Sequence, residues 1–232
     1  MDRYNIFDWW PIAASPHAQE VDHLVIAFTG VMVLLVGPIV LLLPYWLWKY
    51  QQGRKVDRRH REDRNTMMEM SWTLIPFFAA LIFYAWAGII YNRDFHPPPN
   101  AMVIQAVGKR WMWKFEHPGG QREINDLHVP VDETVRIDLA SADVVHGLYI
   151  PALRAQMEVI PGRRTFLWFH ATRVGVYDLD CSEYCGVNHS DMRGKLYVMT
   201  RPAFTHWLHE MKTPNVVTAG GPYAHSSTEP AQ

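Results

Sequence analysis

The sequence predicts a transmembrane hairpin of two helices followed by an all-β Greek-key sandwich. Three observations support this fold class: two long uncharged segments, a basic segment between them, and a C-terminal half made of short strand-like runs. The 232 residues leave room for one globular core beside a membrane anchor. A formal net charge of -1 gives no reason to expect a nucleic acid as a partner.

The first uncharged segment runs from Leu24 to Trp48 and the second from Thr73 to Tyr91. At a rise of about 1.5 Å per residue, the first is long enough to cross a hydrocarbon layer of about 30 Å. Core helices of soluble proteins rarely run so far without a charge. We therefore predict transmembrane helices over about 24–48 and 73–91, within a hairpin that spans residues 23–95.

The segment between the two helices is rich in Lys and Arg, whereas Arg3 is the only Lys or Arg before the first helix. By the positive-inside rule the loop lies in the cytoplasm and both ends of the hairpin point outward. Residues 1–22 are then an external N-terminal segment. We predict a multi-pass protein of the bacterial inner membrane, with its folded domain on the periplasmic side.

After the second helix the composition changes. Residues 96–99, His-Pro-Pro-Pro, indicate a stiff linker. Six runs of strand length follow, AMVIQAV, WMWKF, TVRIDLA, RTFLWF, VGVYDL and KLYVMT, and a helical pattern covers 204–212. Together they predict a small sandwich over 96–212. Residues 213–232 are rich in Gly, Ser, Pro and Ala, which predicts a flexible tail.

The only two cysteines lie in CSEYCGVNHSDM, residues 181–192. A disulfide between Cys181 and Cys185 is chemically permitted outside the membrane, but it leaves His189 and Met192 unexplained. A zinc site could take both cysteines, His189 and one upstream histidine, yet it has no use for a thioether. Thiolate, imidazole and thioether together suit copper.

A one-copper site in a cupredoxin-like sandwich needs one upstream histidine, then Cys, His and Met close together. His146, in DVVHGLYIP, is the upstream candidate at the start of a strand, and Cys185, His189 and Met192 supply the rest. A one-copper site of this kind uses a single cysteine, so it leaves Cys181 without a role. Two thiolates can bridge two copper ions, each completed by one imidazole, with Met on one side and a backbone carbonyl on the other. A binuclear copper centre accounts for every residue.

The same motif, together with DVVHGLYIP, IPGRRTFLWF and GKRWMWKF, resembles subunit II of haem-copper cytochrome c oxidases, which bears the CuA centre. The resemblance covers nearly the whole chain, including the hairpin, and the spacing from the upstream histidine to the first cysteine matches. It implies a main-chain carbonyl ligand from Glu183. It also implies five side-chain ligands, His146, Cys181, Cys185, His189 and Met192.

The resemblance further implies that Trp111, the first tryptophan of WMWKF, is where electrons from a c-type cytochrome enter. Lys109 and Arg110 replace the polar pair that usually precedes this tryptophan. Alternation along a strand predicts that Trp111, Trp113 and Phe115 share one face. We expect Trp113 and Phe115 to lie in the sandwich core.

Two acidic residues receive roles from the resemblance. The Glu183 carboxylate is expected to help hold a magnesium or manganese ion at the boundary with the catalytic subunit. Glu69 matches a glutamate at the cytoplasmic mouth of a proton channel, although an acid at a helix start is ordinarily just favourable to the helix dipole. Four histidines match nothing in the pattern and are expected to be surface or structural residues, His128, His170, His206 and His209.

The implied function is that of an oxidoreductase subunit, which takes electrons from a c-type cytochrome and passes them to haem in the catalytic subunit I. Oxygen would be reduced to water there, coupled to proton translocation. The expected partners are subunit I, further membrane subunits, the donor cytochrome and the lipid bilayer, with no nucleic acid. Two alternatives are the CuA-bearing small subunit of a nitric oxide reductase and the copper-free scaffold subunit of a quinol oxidase. The full ligand set argues against the second, and Glu69 favours an oxidase over the first.

Overall fold

The computed structural model of the chain describes residues 10–57 and 64–212. The predicted tail, the start of the N-terminal segment and part of the basic loop lie outside the described residues. Two long helices come first and a β-sandwich follows, which confirms the predicted fold class. The elements are α1 (Pro16–Lys49), α2 (Thr66–Asp94), β1 (Met102–Lys109), β2 (Met112–Glu116), β3 (Arg122–Ile124), β4 (Leu127–Pro130), β5 (Thr134–Ser141), β6 (His146–Ile150), β7 (Ala155–Val159), β8 (Thr165–His170), β9 (Gly175–Cys181), β10 (Arg193–Met199) and α3 (Arg201–Lys212).

Both long helices begin earlier than the predicted spans, at Pro16 rather than 24 and at Thr66 rather than 73. An uncharged run marks only the part of a helix that suits lipid, whereas the polar turns before it are helical because they are capped. The side chains of Ser15 and Asn65 each accept the N–H three residues on, at 3.0 Å and 3.1 Å. Residues 16–22, predicted as external segment, are therefore part of α1.

The two helices are long and apolar enough to cross a membrane. They pack against each other through Phe28 and Phe83, whose rings meet edge to face at 5.3 Å between centroids. Most of their other large apolar side chains are exposed on the outside of the hairpin. Such a surface suits lipid or neighbouring helices, because a helix satisfies its own backbone hydrogen bonds.

The sandwich consists of two five-stranded sheets. Their strand orders are β3-β2-β1-β5-β8 and β4-β10-β9-β6-β7. Two pairs, β1 with β5 and β4 with β10, are parallel, and the other pairs are antiparallel. Ten strands form in the described residues where six runs stand out in the sequence. The four further strands are three to five residues long, and they are β3, β4, β6 and β7.

The inward side chains of the two sheets form one core. Alternate residues of β5 are buried, namely Val135, Ile137 and Leu139, as expected of a strand with one face against the opposite sheet. Trp113 and Phe115 are 0% and 1% exposed, so their predicted core position is correct.

Polar contacts fix the sandwich to the outer ends of the helices. Arg154 donates from Nε and Nη2 to the two carboxylate oxygens of Asp22 in α1, both at 2.9 Å. Ala14 makes main-chain hydrogen bonds to two loops of the sandwich. Trp168 of β8 donates from Nε1 to the carbonyl oxygen of Asp94, at the end of α2. The sandwich is thus attached at several points to both helices.

Candidate metal centre

The candidate metal centre lies at one end of the sandwich. His146 is the first residue of β6 and Cys181 the last residue of β9, while Cys185, His189 and Met192 lie in or at the end of the loop that follows. We call residues 181–192 the metal loop. Because β6 and β9 are paired in the sheet, the upstream histidine comes to lie beside the metal loop. The structure therefore brings together all five side chains that the sequence assigned to copper.

The two thiols occupy the middle of this group. The Sγ atoms of Cys181 and Cys185 are 3.9 Å apart and both cysteines are free. His146 Nδ1 lies 3.9 Å from the Cys181 sulfur, and His189 Nδ1 lies 3.5 Å from the Cys185 sulfur. Two sulfur atoms are thus flanked by two imidazole nitrogens.

Two weaker donors complete the set. Met192 Sδ lies 3.7 Å from the Cys185 sulfur, and the carbonyl oxygen of Glu183 lies 3.3 Å from the Cys181 sulfur. The six donor atoms comprise two thiols, two imidazoles, a thioether and a carbonyl. Soft sulfur donors with imidazole suit copper, and the buried thioether is a donor that a tetrahedral zinc site does not use. The residues therefore fit a copper site.

Burial differs between the two sides of the group. His146 and Met192 are fully buried, and Cys185 is 4% exposed. His189 instead lines a cavity of about 260 Å³, together with Asp180, Cys181, Ser190, Met192 and Arg193. Of the two imidazoles, His189 is therefore the more exposed to solvent.

Burial, with a smaller contribution from the adjacent Cys181, raises the pKa of the Cys185 thiol to about 11. Two thiolates so close together in a low-dielectric site repel each other. A bound cation removes this penalty, because metal coordination deprotonates a thiol. Metal binding at this site should therefore release protons.

Glycine residues allow the close approach of the elements at the site. A Cβ atom added to Gly147 would lie 2.1 Å from Ser182 Oγ and 3.2 Å from the backbone nitrogen of Glu183. A Cβ atom on Gly108 in β1 would lie 3.0 Å from Cδ2 of His146. Any side chain at these two positions would push the metal loop or the imidazole aside.

Asp143 is absent from the predicted site residues, yet it touches one of them directly. Its Oδ1 accepts a hydrogen bond from His146 Nε2 at 2.8 Å, and its Oδ2 accepts the backbone N–H of Arg110 at 2.8 Å. Although burial opposes ionisation, these bonds hold the pKa of Asp143 well below its usual range. The sequence contained one sign of this contact, because Asp143 lies three residues before His146.

Trp111 lies in the turn before β2 and not in the strand as predicted, although it packs against the same core as Trp113 and Phe115. Its indole is half-buried and packs on the metal loop: a Cβ atom on Gly186 would lie 3.3 Å from Trp111 Nε1. Gly186 directly follows Cys185. Trp111 is therefore next to the candidate metal centre.

The two remaining predicted residues are Glu69, which is remote from the thiols, and Glu183, which lies beside them. Glu69 is exposed in the first turn of α2, at the opposite end of the hairpin from the sandwich. The carbonyl oxygen of the half-buried Glu183 lies 3.3 Å from the Cys181 sulfur. The four unassigned histidines lie on β4, β8 and α3, and they are His128, His170, His206 and His209.

Comparisons with known proteins identify relatives for both parts of the chain. A family profile described as "Cytochrome C oxidase subunit II, periplasmic domain" matches residues 120–196. Cytochrome c oxidase subunit 2 of Cereibacter sphaeroides is 26% identical, over 94% of this chain and 82% of that protein. The same subunit of Metridium senile is 28% identical, over 88% of this chain and 92% of that protein.

A solved structure is similar to part of the chain. The crystal structure of the periplasmic domain of subunit II of cytochrome oxidase from Bradyrhizobium japonicum is 30% identical. The alignment covers 50% of this chain and 96% of that one, with a TM-score of 0.48.

Proposed function

Because the chain belongs to the cytochrome c oxidase subunit II family, we propose that its metal loop and His146 hold a binuclear CuA centre. The centre would accept electrons from a c-type cytochrome and pass them to haem in the catalytic subunit I. Oxygen would be reduced to water in that subunit, coupled to proton translocation. The observation that carries the proposal is the pair of free thiols, 3.9 Å apart, between two imidazole nitrogens and beside a thioether.

The proposed ligands are His146, Cys181, Cys185, His189 and Met192, with the carbonyl oxygen of Glu183. When bound, a copper pair would supply a one-electron redox centre that these residues hold. The protein keeps the donors in place. Burial of His146 and Met192 excludes water from one side, and the glycine at 147 lets the metal loop pack on β6. A copper-free scaffold role is not favoured, because the donor set is complete.

Copper stoichiometry and spectra test this proposal on the full chain in detergent. We expect two copper ions per chain, visible absorption from thiolate-to-copper charge transfer, and a seven-line EPR signal from a mixed-valence pair. A chain that instead takes up a single zinc ion, or in which Cys181 and Cys185 form a disulfide under the same loading conditions, would contradict the proposal.

Trp111 is proposed as the point at which electrons enter, because its indole packs against the residue that follows a ligand cysteine. Trp111→Phe should slow reduction of the copper by a reduced c-type cytochrome roughly tenfold or more, about 1.4 kcal/mol of barrier. Stopped-flow reduction measures this rate, and the copper spectra should stay unchanged. Tyr184→Phe, which removes only a hydroxyl on the same loop, is the matched control. Equal rates for both variants would remove Trp111 from this role.

Glu69 is proposed to lie at the cytoplasmic mouth of a proton channel, since it is exposed at the end of α2 remote from the sandwich. Glu69→Ala should slow proton uptake several-fold in the assembled complex and leave the copper spectra unchanged, because the two sites lie at opposite ends of the hairpin. Proton uptake and oxygen consumption measure the effect. Glu69→Gln separates loss of charge from loss of side-chain volume, and unaltered turnover in both variants would refute the role.

The remaining partners follow from the same proposal. The Glu183 carboxylate would contribute to a magnesium or manganese site that the catalytic subunit completes. The apolar outer surface of the hairpin would face lipid and the further membrane subunits. The sandwich would lie on the periplasmic side of a bacterial inner membrane, where the donor cytochrome can reach it.

A further inference from the structure

The carboxylate of Asp143 joins a candidate copper ligand to the turn that carries Trp111. Its Oδ1 accepts from His146 Nε2 at 2.8 Å and from the backbone N–H of Val144 at 2.7 Å. Its Oδ2 accepts from the backbone N–H of Arg110 at 2.8 Å and from Arg110 Nε at 3.2 Å. Each oxygen thus carries two hydrogen bonds, and Arg110 is the residue before Trp111.

Resting on the copper function proposed above, we propose that Asp143 is a positioning residue of the metal centre. It holds His146 in the tautomer that carries its proton on Nε2, so that Nδ1 faces the thiols with a free lone pair. Through Arg110 it also holds the Trp111 turn against the same end of the sandwich.

The tautomer argument follows from the chemistry of the two groups. A neutral imidazole has one N–H and one nitrogen lone pair, and an ionised carboxylate can only accept. Because Asp143 lies at Nε2, the proton is fixed there and the lone pair is left on Nδ1. That nitrogen lies 3.9 Å from the Cys181 sulfur. Metal-binding histidines are commonly oriented by such a partner on their other nitrogen.

Packing holds the ring plane of His146 but cannot select its tautomer. Trp113 meets the imidazole edge-on at 5.9 Å between centroids, and Gly108 leaves no room for a side chain beside the ring. Both tautomers have the same shape, so these apolar contacts favour neither. The Asp143 carboxylate is the contact that distinguishes them.

Arg110 acts on the same carboxylate in two separable ways. Its backbone N–H bond to Asp143 is available to any residue at this position except proline. Its guanidinium is half-exposed, with 52% of the side chain accessible, so solvent screens its attraction to the carboxylate. Replacing the Arg110 side chain should therefore disturb His146 far less than replacing Asp143.

The test uses the full metal-free chain in detergent, labelled with ¹⁵N at histidine. Long-range ¹H–¹⁵N NMR should show His146 as the Nε2–H tautomer in the wild type and in Arg110→Ala. Asp143→Ala should lose this pure tautomer signal, and its copper affinity should fall about 10- to 100-fold. Asp143→Asn keeps an oxygen acceptor, so it should restore the Nε2–H signal and most of the affinity.

Asp138→Ala is the matched control, because Asp138 is a sandwich aspartate that pairs with Arg136 on the exposed face of β5. Asp143→Ala with a wild-type His146 spectrum and wild-type copper affinity would overturn the proposal. If Asp143→Ala does not fold, failure of Asp143→Asn to keep the Nε2–H signal in a folded chain would overturn it equally. The NMR experiment contains no copper, so a wild type that binds no copper would contradict the proposed function while the spectra still decide the role of Asp143.

Discussion

Two clusters in the sandwich combine a buried histidine with a carboxylate, and they use the imidazole in opposite ways. At the metal centre, Asp143 takes one nitrogen of His146, and the other nitrogen faces a thiol. In the second cluster, Glu123 accepts from His117 Nε2 at 2.7 Å with one oxygen and from His128 Nδ1 with the other. One carboxylate there binds two imidazoles.

Aromatic rings occupy the faces of the second cluster. The His128 ring stacks on Tyr197 at 4.4 Å and on Trp207 at 4.7 Å between centroids. His117 meets the same Trp207 edge-on at 5.1 Å. Because Trp207 belongs to α3, this cluster docks the C-terminal helix on β2, β3 and β4. We call it the docking cluster.

The comparison shows what separates a metal-binding histidine from a structural one in this chain. Both carboxylates are held ionised by hydrogen bonds, and the pKa of Glu123 is also lowered although burial opposes it. The difference is what the imidazole faces on its other side. The second nitrogen of His146 faces a thiol, whereas Tyr197 and Trp207 cover the two faces of the His128 ring. Only the first arrangement offers a soft metal ion further donors.

The largest effect is expected from Cys185→Ser, which removes a sulfur from the middle of the donor set. Copper affinity should fall well over a hundredfold, more than for loss of a hydrogen-bonding partner alone. Copper analysis and EPR measure this loss. Hydrogen exchange at the amides of β4 and α3 should stay the same, since the docking cluster uses other residues. If this variant still binds two copper ions and gives a seven-line EPR signal, Cys185 is not a copper ligand, and the contrast between the metal centre and the docking cluster fails.

Glu123→Gln should disturb the docking cluster and leave the copper site unchanged. The amide nitrogen of Gln would replace one accepting oxygen and face an imidazole N–H, which leaves a buried group unpaired. We expect a local loss of about 2–3 kcal/mol, measured as faster hydrogen exchange in β3, β4 and α3, with copper spectra unchanged. Glu116→Gln is the control, because Glu116 is an exposed acid of β2 that pairs with Arg122. Equal exchange in the two variants would show that the docking cluster does not hold α3.

The smallest effect is the pH dependence of α3 docking. The folded pKa of Glu123 is lowered, so its contribution is complete above the ordinary glutamate value of about 4.3 and is lost as pH falls through the folded pKa. Its facing groups are the His117 and His128 imidazoles. Exchange in α3, corrected for intrinsic rates, should rise below about pH 4. The rise should be weaker in Glu123→Gln, and an identical profile in both chains would contradict the assignment.

Regular patterns made much of the fold predictable. The uncharged runs and the strand alternation gave the fold class, and the Cys, His and Met spacing gave a ligand set that the strand pairing of β6 and β9 brings together. The early start of α1 was also readable, because a Ser followed by Pro, as at 15 and 16, is a helix start signal. The prediction started the helix only at Leu24 because Glu20 and Asp22 interrupt the uncharged run before that residue.

Tertiary hydrogen bonds were not predictable in the same way. The docking cluster depends on the register of β2, β3 and β4 and on the position of α3, which no local pattern encodes. The same holds for Trp111, whose contact with Gly186 is made between two loops that are far apart in the chain. Asp143 is the intermediate case, because its spacing to His146 was visible but its orientation needed the fold.

The contact between Arg154 and Asp22 has a consequence for motion. A domain on a flexible stalk reorients on a nanosecond to microsecond scale, and its separation from the bilayer fluctuates. Two part-buried hydrogen bonds from the Arg154 guanidinium, together with the hydrogen bonds of Ala14 and Trp168, restrict that rotation. An acceptor embedded in the bilayer would therefore meet the thiol pair at one constant height, and only a colliding donor would need to search for the right orientation.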